Sequence, residues 1–136
     1  MTNKYGARKV HADGHTFDSR AEHRRWCELK LLQQAGEIHG LQAHPIFNLL
    51  AHTETGPKSI GKYTPDFVYM RGNVRVVEDV KGANSQKGAA RSDYRLRVRL
   101  LEANHPDIEF HEIGGRKPSP FVTIGDAAKR VLGNVE

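Results

Sequence analysis

The spacing of hydrophobic residues changes along the chain, and each spacing predicts a different element. Apolar residues between Val10 and Phe17 alternate loosely around Asp13-Gly14, a pair that favours a tight two-residue turn. This segment is therefore predicted to form a short N-terminal hairpin. Residues 1–7 carry no such pattern and are expected to be a flexible arm.

A helical pattern follows the hairpin. Glu22, Trp26 and Leu29 lie at i, i+4 and i+7, which places them on one side of a helix. Ser19 is a favourable N-cap with Glu22 completing the S-x-x-E capping box, and Gly36 suits the position after the last turn. Glu22 is on the apolar side and is expected to face the sheet. A capping role alone would also account for a glutamate at this position.

Three short apolar segments come next and predict strands at Ile46–Leu50, Tyr63–Met70 and Val74–Val80. The segment from Thr53 to Gly61 is polar and contains Gly-Pro, so it is expected to be a loop. Residues 82–92 are small, polar and basic, and a mobile loop is expected there as well.

The remaining predicted elements are a helix at Asp93–Asn104, a strand at residues 108–113 and a terminal helix at Thr123–Leu132. Three consecutive strands predict an antiparallel meander, and the last strand can add in parallel through the second helix. The chain of 136 residues is therefore expected to form a single α/β domain with a mixed sheet.

The last two strands of the meander contain charged residues that buried strands normally avoid. If Gly72-Asn73 is a two-residue loop, Asp66 lies directly opposite Asp79, with β-carbons about 5 Å apart. Side chains alternate between the two faces of a sheet, so Asp79 and Lys81 share the face of Asp66, whereas Glu78 points to the other.

Two partly buried aspartates at that distance repel each other. The repulsion is relieved if one aspartate stays protonated, if Lys81 compensates, or if a divalent cation binds between them. Mg²⁺ prefers this kind of site, made of one or two carboxylates and several waters. A solvated edge hairpin with a surface Asp79–Lys81 pair would also account for the pattern, and a register shift of one residue would place Glu78 beside Asp66.

Composition narrows the range of partners. The 21 Lys and Arg residues outnumber the 16 Asp and Glu residues, and the net charge of +5 is weak evidence for a polyanionic partner.

A single cysteine excludes a disulfide framework, and no apolar run is long enough to span a membrane, so a cytoplasmic protein is expected. The eight histidines come without cysteine pairs or an H-E-x-x-H helix, which does not favour zinc.

Basic residues cluster around the predicted acidic centre. Those of the second helix recur at i, i+4 and i+8, and another group lies at the start of the first helix. The predicted phosphate contacts are Arg20, Arg24, Arg25, Lys87, Arg91, Arg95 and Arg99. A solvated charged face is the alternative for each of them. No aromatic ladder for stacking single strands is present, so duplex or branched duplex DNA is the expected partner.

Pro65-Asp66, followed thirteen residues later by Asp79-Val80-Lys81, resembles the PD-(D/E)XK signature of a large nuclease superfamily. The helix carrying Glu22 is similar to the acidic first helix of that superfamily. The predicted element order over about residues 17–113 resembles its restriction-endonuclease-like αβββαβ core. The stretches KYGARKVHADGHTFDSRAEHRRW and VVEDVKG further resemble short phage and prophage proteins allied to Holliday junction resolvases.

The resemblance implies a metal centre. Asp66 and Asp79 would bind the ion together with the backbone carbonyl of Val80. Glu22 would bind it directly or through water, and Lys81 would position or help to deprotonate the attacking water. The implied cofactor is Mg²⁺, with Mn²⁺ able to substitute.

The implied function is metal-dependent hydrolysis of phosphodiester bonds in branched DNA, as in phage recombination. A homodimer is expected, because a two-fold symmetric junction requires two paired cuts. A restriction- or repair-type nuclease acting on linear DNA is one alternative, and a catalytically silent nucleic-acid-binding module is another. Whether Gln42 or Glu78 takes part, and whether one or two metals bind, is left open by the sequence.

Overall fold

The structure is a computed structural model that describes residues 8–81 and 89–114, the second range with side chains from residue 92 onward. Its elements in chain order are β1 (Val10–Ala12), β2 (His15–Phe17), α1 (Arg20–Gln34), β3 (His39–Ala43), β4 (Phe47–Thr53), β5 (Gly56–Tyr63), β6 (Phe67–Arg71), β7 (Val74–Lys81), α2 (Ala89–Asn104) and β8 (Ile108–Gly114). The predicted arm, most of the predicted 82–92 loop and the predicted terminal helix lie outside the described residues.

The N-terminal hairpin and the first helix are confirmed. β1 pairs antiparallel with β2 across Asp13-Gly14, and both turn residues have the positive φ that a type I′ turn requires, 53° and 78°. The Ser19 side chain accepts a hydrogen bond from the Glu22 N–H at 3.1 Å and caps α1. Gly36, with φ 78°, follows the last turn and ends the helix.

Four strands form the central sheet in the order β3-β6-β7-β8. β6 pairs antiparallel with both β3 and β7, and β8 adds parallel to β7 through α2, as predicted for the last strand. At the β6–β7 turn Gly72 has φ 60°, and Arg71 pairs with Val74. The predicted hairpin register is therefore confirmed as far as the Phe67–Glu78 pair. The fold is mixed α and β, as expected.

Three of the predicted strand and loop boundaries are wrong. The strand beside β6 is β3, which no apolar pattern indicated, and the predicted strand at Ile46–Leu50 instead begins a separate two-stranded hairpin, β4–β5. The predicted loop from Thr53 to Gly61 is largely β5. The predicted strand at Tyr63–Met70 is interrupted at Pro65, so that Tyr63 ends β5 and the following strand starts afresh.

These errors have a common physical cause. Gly and Pro lower strand propensity, yet an edge strand tolerates a proline because the missing N–H is not needed for pairing. Pro57 lies in β5, whose one strand partner within residues 8–81 and 89–114 is β4. β3 consists of His-Gly-Leu-Gln-Ala and owes its extended conformation to pairing with β6 rather than to its own sequence.

The two faces of the sheet bury separate apolar clusters, one against each helix. The cluster on the α1 side contains Phe17, Trp26, Leu29, Leu32, Ile38, Phe67, Tyr69 and Val76. The cluster on the α2 side contains Phe47, Leu49, Tyr63, Val68, Val77, Tyr94 and Leu101. Neighbouring residues of β7 thus belong to opposite clusters, which confirms the predicted alternation of its side chains.

The second helix begins earlier than predicted, at Ala89, and ends as predicted at Asn104. The Asn104 side chain holds the β4–β5 hairpin: its Oδ1 accepts from the Leu50 N–H at 2.7 Å, and its Nδ2 donates to the Leu50 carbonyl at 3.1 Å. Neither helix of the described ranges is long and apolar enough to cross a membrane.

A buried ion pair joins α1 to β7. Arg25 Nε donates to Glu78 Oε1 at 2.8 Å and Nη2 donates to Oε2 at 2.7 Å, while the Tyr69 hydroxyl donates to the same carboxylate. Arg25 is 7% exposed and Glu78 is fully buried. The prediction that Arg25 contacts DNA phosphate is therefore wrong, because its guanidinium is used inside the fold. Glu78 serves as its partner on the α1 face, away from Asp79.

Removing one member of this pair leaves a buried charge without its partner, and Arg25→Ala is expected to lower the free energy of unfolding by about 3–5 kcal/mol. Urea denaturation followed by circular dichroism measures the change. The exposed neighbour provides the control, since Arg24→Ala is expected to change stability by no more than about 0.5 kcal/mol. A loss below about 1 kcal/mol for Arg25→Ala would show that the pair does not hold α1 on the sheet.

Candidate metal centre

Asp66 lies directly before β6, and its backbone is held on both sides. Its N–H donates to the Glu78 carbonyl at 3.1 Å, and its carbonyl accepts from the His44 N–H at 2.8 Å. Glu78 is already the ladder partner of Phe67, so the bond from Asp66 to the same residue departs from the regular register. The predicted pair of Asp66 with Asp79 is therefore not part of the ladder, which ends at Phe67 and Glu78.

The two aspartates nevertheless meet through other hydrogen bonds. Asp79 Oδ1 accepts from the Asp66 N–H at 3.3 Å, and Asp66 Oδ2 accepts from the Val80 N–H at 2.7 Å. Both carboxylates therefore lie beside each other at one end of β6 and β7. The proximity that the hairpin predicted is present, although the regular ladder does not produce it.

The backbone of Val80 faces the same place. In a β-strand the N–H and C=O of one residue leave the strand on the same side. Since the Val80 N–H donates to Asp66, the Val80 carbonyl is also directed toward the aspartates. The Val80 side chain packs against the α1 cluster, which leaves only its backbone available to the centre.

Lys81 lies on the α2 face with Asp79, as the alternation predicts. Lys81 Nζ is 3.7 Å from Asp79 Oδ2 and 3.5 Å from the centroid of the Tyr94 ring. A cation over an aromatic face is attracted by the ring quadrupole, so the ring and the carboxylate together fix the ammonium group. The Tyr63 hydroxyl donates a hydrogen bond to the same Asp79 oxygen.

Glu22 reaches the centre from the first turn of α1, where it is buried. Its Oε2 accepts from the Asp18 N–H at 3.1 Å, so the carboxylate does not close the predicted capping box at Ser19. Its Oε1 is 2.6 Å from His44 Nε2. Glu22, His44 and Asp66 each place one ligand atom within 4.8 Å of the other two, a grouping that could hold a metal ion.

Burial and like charge make this centre costly for an ionised carboxylate. Burial, the neighbouring Asp79 carboxylate and then Glu22 raise the pKa of Asp66 from its ordinary value of 3.8 to about 9. Burial and the Asp79 carboxylate also raise the pKa of Tyr63, so its hydroxyl stays protonated and donates. A bound cation would remove the repulsion and favour the charged form of Asp66.

The structure describes some of the predicted DNA-contacting residues outside the centre but not all of them. Arg20 and Arg24 are exposed on α1, and Arg95 and Arg99 are exposed on α2, so all four remain predictions. Lys87 and the side chain of Arg91 lie outside the described residues. Gln42 is exposed on β3, where it pairs with Val68, and its part in the site remains open.

Two side chains of the centre had no role in the sequence prediction. Tyr63 was assigned to the wrong strand, and nothing in its local sequence indicates a contact with Asp79. His44 carried only one signal: it precedes a proline, which argues against a helix. The hairpin β4–β5 lies between them in the chain: His44 precedes it and Tyr63 is its last residue, so the fold of this segment brings both side chains to the centre.

A family comparison covers most of the chain. The sequence model described as "Protein of unknown function (DUF1064)" matches residues 2–115. The chain belongs to this family. No curated protein and no solved structure matches it significantly. The matched range of DUF1064 includes every residue of the candidate centre, from Glu22 to Lys81.

The charge on Asp66 is expected to destabilise the ion-free protein. The unfolded chain releases the Asp66 proton near pH 3.8, whereas the folded protein holds it to about pH 9, so its contribution to stability is lost as pH rises between these values. Asp66→Asn should therefore raise Tm in EDTA, with little effect near pH 4 and a gain of roughly 3–8 °C at pH 8.

Differential scanning calorimetry at several pH values measures this gain. Asp107→Asn is the matched control, because Asp107 is exposed and far along the chain from the centre. A lower Tm for Asp66→Asn than for the wild type at pH 8 would contradict the electrostatic description of the centre.

Proposed function

We propose that this protein is a metal-dependent endonuclease that hydrolyses DNA phosphodiester bonds. The observation that carries the proposal is the meeting of Asp66 and Asp79 at one end of two buried strands, with Lys81 fixed beside Asp79. Such hydrolysis needs an activated water and neutralisation of phosphate charge, and two carboxylates that hold a cation beside a lysine can supply both.

The donor set fits a divalent cation. Asp66 and Asp79 meet at the strand ends, the Val80 carbonyl is directed toward them, and Glu22 adjoins Asp66. Oxygen ligands of this kind suit Mg²⁺ or Mn²⁺. A cation bound there would lower the pKa of a coordinated water and stabilise charge on the phosphate. Glu22 would hold it from the first turn of α1, and Asp66 and Asp79 from the adjoining ends of β6 and β7.

Lys81 is suited to act on the attacking water. Its ammonium group lies between the Tyr94 ring and Asp79, with 15% of the side chain exposed, so it is oriented but still reachable from solvent. From this position it donates a hydrogen bond that orients the water and stabilises the hydroxide as it forms. Tyr63 holds Asp79 from the other side and is a positioning residue.

The topology supports a nuclease core of the PD-(D/E)XK type. The elements α1, β3, β6, β7, α2 and β8 follow the αβββαβ order, with the fourth strand parallel to the third, and β4–β5 is an insertion between the first and second strands. The signature residues lie at the end of the second and third strands of this core. We propose on this basis that the chain has a restriction-endonuclease-like fold.

Exposed cations on both helices and on β5 support a polyanionic substrate. Arg20 and Arg24 extend from the start of α1, close to Glu22, and Arg95 and Arg99 extend from α2. The inserted hairpin adds more positive charge, since β5 carries two exposed lysines and no acidic residue. Contacts with phosphates would fix the DNA across the centre without reading its sequence.

Branched DNA is the proposed substrate, cut by a homodimer in a reaction like that of Holliday junction resolvases. The two-fold symmetry of a four-way junction matches two copies of this centre. A nuclease for linear duplexes would use the same residues and differs only in the shape of the DNA it prefers. A silent binding module would leave Asp66, Asp79 and Lys81 without a purpose.

Cleavage of labelled four-way junctions and matched linear duplexes tests the proposal. With Mg²⁺ or Mn²⁺ the wild type is expected to make symmetric nicks in the junction, and EDTA is expected to abolish them. Asp79→Asn should lower the cleavage rate by roughly 10²–10³-fold, because it removes a charged ligand that stabilises the transition state.

The exposed substitution Asp107→Asn serves as the control and should leave the rate unchanged. Cleavage that persists in both Asp66→Ala and Asp79→Asn would refute the proposal. Faster cleavage of linear duplexes than of junctions would assign the centre to a linear-DNA nuclease, and salt-sensitive binding without any cleavage would indicate the silent module.

A further inference from the structure

His44 occupies an unusual place beside the carboxylates. It lies between β3 and β4, and its N–H donates to the Asp66 carbonyl at 2.8 Å, which fixes its backbone against the start of β6. Its φ of 53° is in the left-handed region that non-glycine residues seldom adopt. The chain thus holds this imidazole where its Nε2 meets Glu22 Oε1.

The separation of the donor atoms is compatible with a shared ion. The Glu22 and His44 donors are 2.6 Å apart, and both lie within 4.8 Å of an Asp66 carboxylate oxygen. Two neighbouring ligands of an octahedral ion with bonds of about 2.1 Å lie about 3.0 Å apart. The Glu22–His44 hydrogen bond would therefore open by only a few tenths of an ångström to admit the ion.

In the group of Glu22, His44 and Asp66, the His44 side chain is accessible to solvent and the Glu22 side chain is held in place. Glu22 is almost fully buried, and its other oxygen is held by the Asp18 N–H, whereas the His44 side chain is 31% exposed. An ion could therefore approach from the His44 side while Glu22 and Asp66 stay in place. The imidazole is the only nitrogen ligand that the group offers.

We infer that His44 is a metal ligand and that the centre takes a first-row transition ion such as Mn²⁺ in preference to Mg²⁺. This inference rests on the proposed metal centre and goes beyond it by naming the ion. Mg²⁺ is a hard cation that favours oxygen ligands and retains its waters, whereas an imidazole nitrogen binds transition ions more strongly. Among these, affinity for a fixed donor set rises from Mn²⁺ to Co²⁺.

The most direct test detects the nitrogen in the wild-type protein. Electron spin-echo envelope modulation of bound Mn²⁺ is expected to show coupling to a ¹⁴N nucleus, and His44→Gln is expected to remove it. A bound Mn²⁺ without nitrogen coupling in the wild type would overturn the assignment of His44. This measurement on the wild type does not depend on whether the variant folds.

Isothermal titration calorimetry of Mg²⁺, Mn²⁺ and Co²⁺ gives the matching affinities. Glutamine reaches a similar distance but offers an amide oxygen, so His44→Gln should weaken Mn²⁺ binding by about 10–100-fold and change Mg²⁺ binding by less than about threefold. The exposed residue His52 provides the control, since His52→Gln should alter neither affinity.

The possible failures are distinguishable. If the wild type binds Mn²⁺ and the Mn²⁺-to-Mg²⁺ affinity ratio is unchanged in His44→Gln, the metal centre stands and His44 is not its ligand. If the wild type binds none of the three ions, the metal centre itself is refuted, and the inference about His44 falls with it.

Discussion

The repulsion among buried and half-buried carboxylates at the end of β6 and β7 is the constraint on which the rest of this structure depends. Asp66 and Asp79 hydrogen-bond across the two strands, and Glu22 reaches the same place from α1. Burial and these neighbours raise the pKa of Asp66 to about 9. A fold that keeps such an arrangement has an unfavourable ion-free state, which a divalent cation would relieve.

The alternation of β7 separates two kinds of charge. Glu78 points to the α1 face, where Arg25 and Tyr69 satisfy its carboxylate inside the core. Asp79 points to the α2 face, where Lys81 and Tyr63 contact one of its oxygens and the other faces Asp66. Adjacent acids in one strand thus serve different purposes: the first fixes a helix on the sheet, and the second belongs to the centre.

Features set by neighbouring residues could be predicted from the sequence, whereas contacts between distant parts of the chain could not. The caps of α1, the turn at Gly72 and the alternation of β7 depend on neighbouring residues, so the sequence was enough to place them. β3 and β5 have weak strand propensity and form through pairing, and the Arg25–Glu78 pair spans two distant elements. Tyr63 joins Asp79 for the same reason: only the folded hairpin brings it there.

Anomalous X-ray diffraction from crystals soaked in Mn²⁺ tests the central claim most directly, because it locates an ion without relying on activity. The account predicts one strong anomalous peak at the end of β6 and β7, about 2.2 Å from an oxygen of Asp66 and within the shared ligand sphere of Asp79. A fully occupied Mn²⁺ elsewhere on the protein, with no peak between these carboxylates, would contradict it.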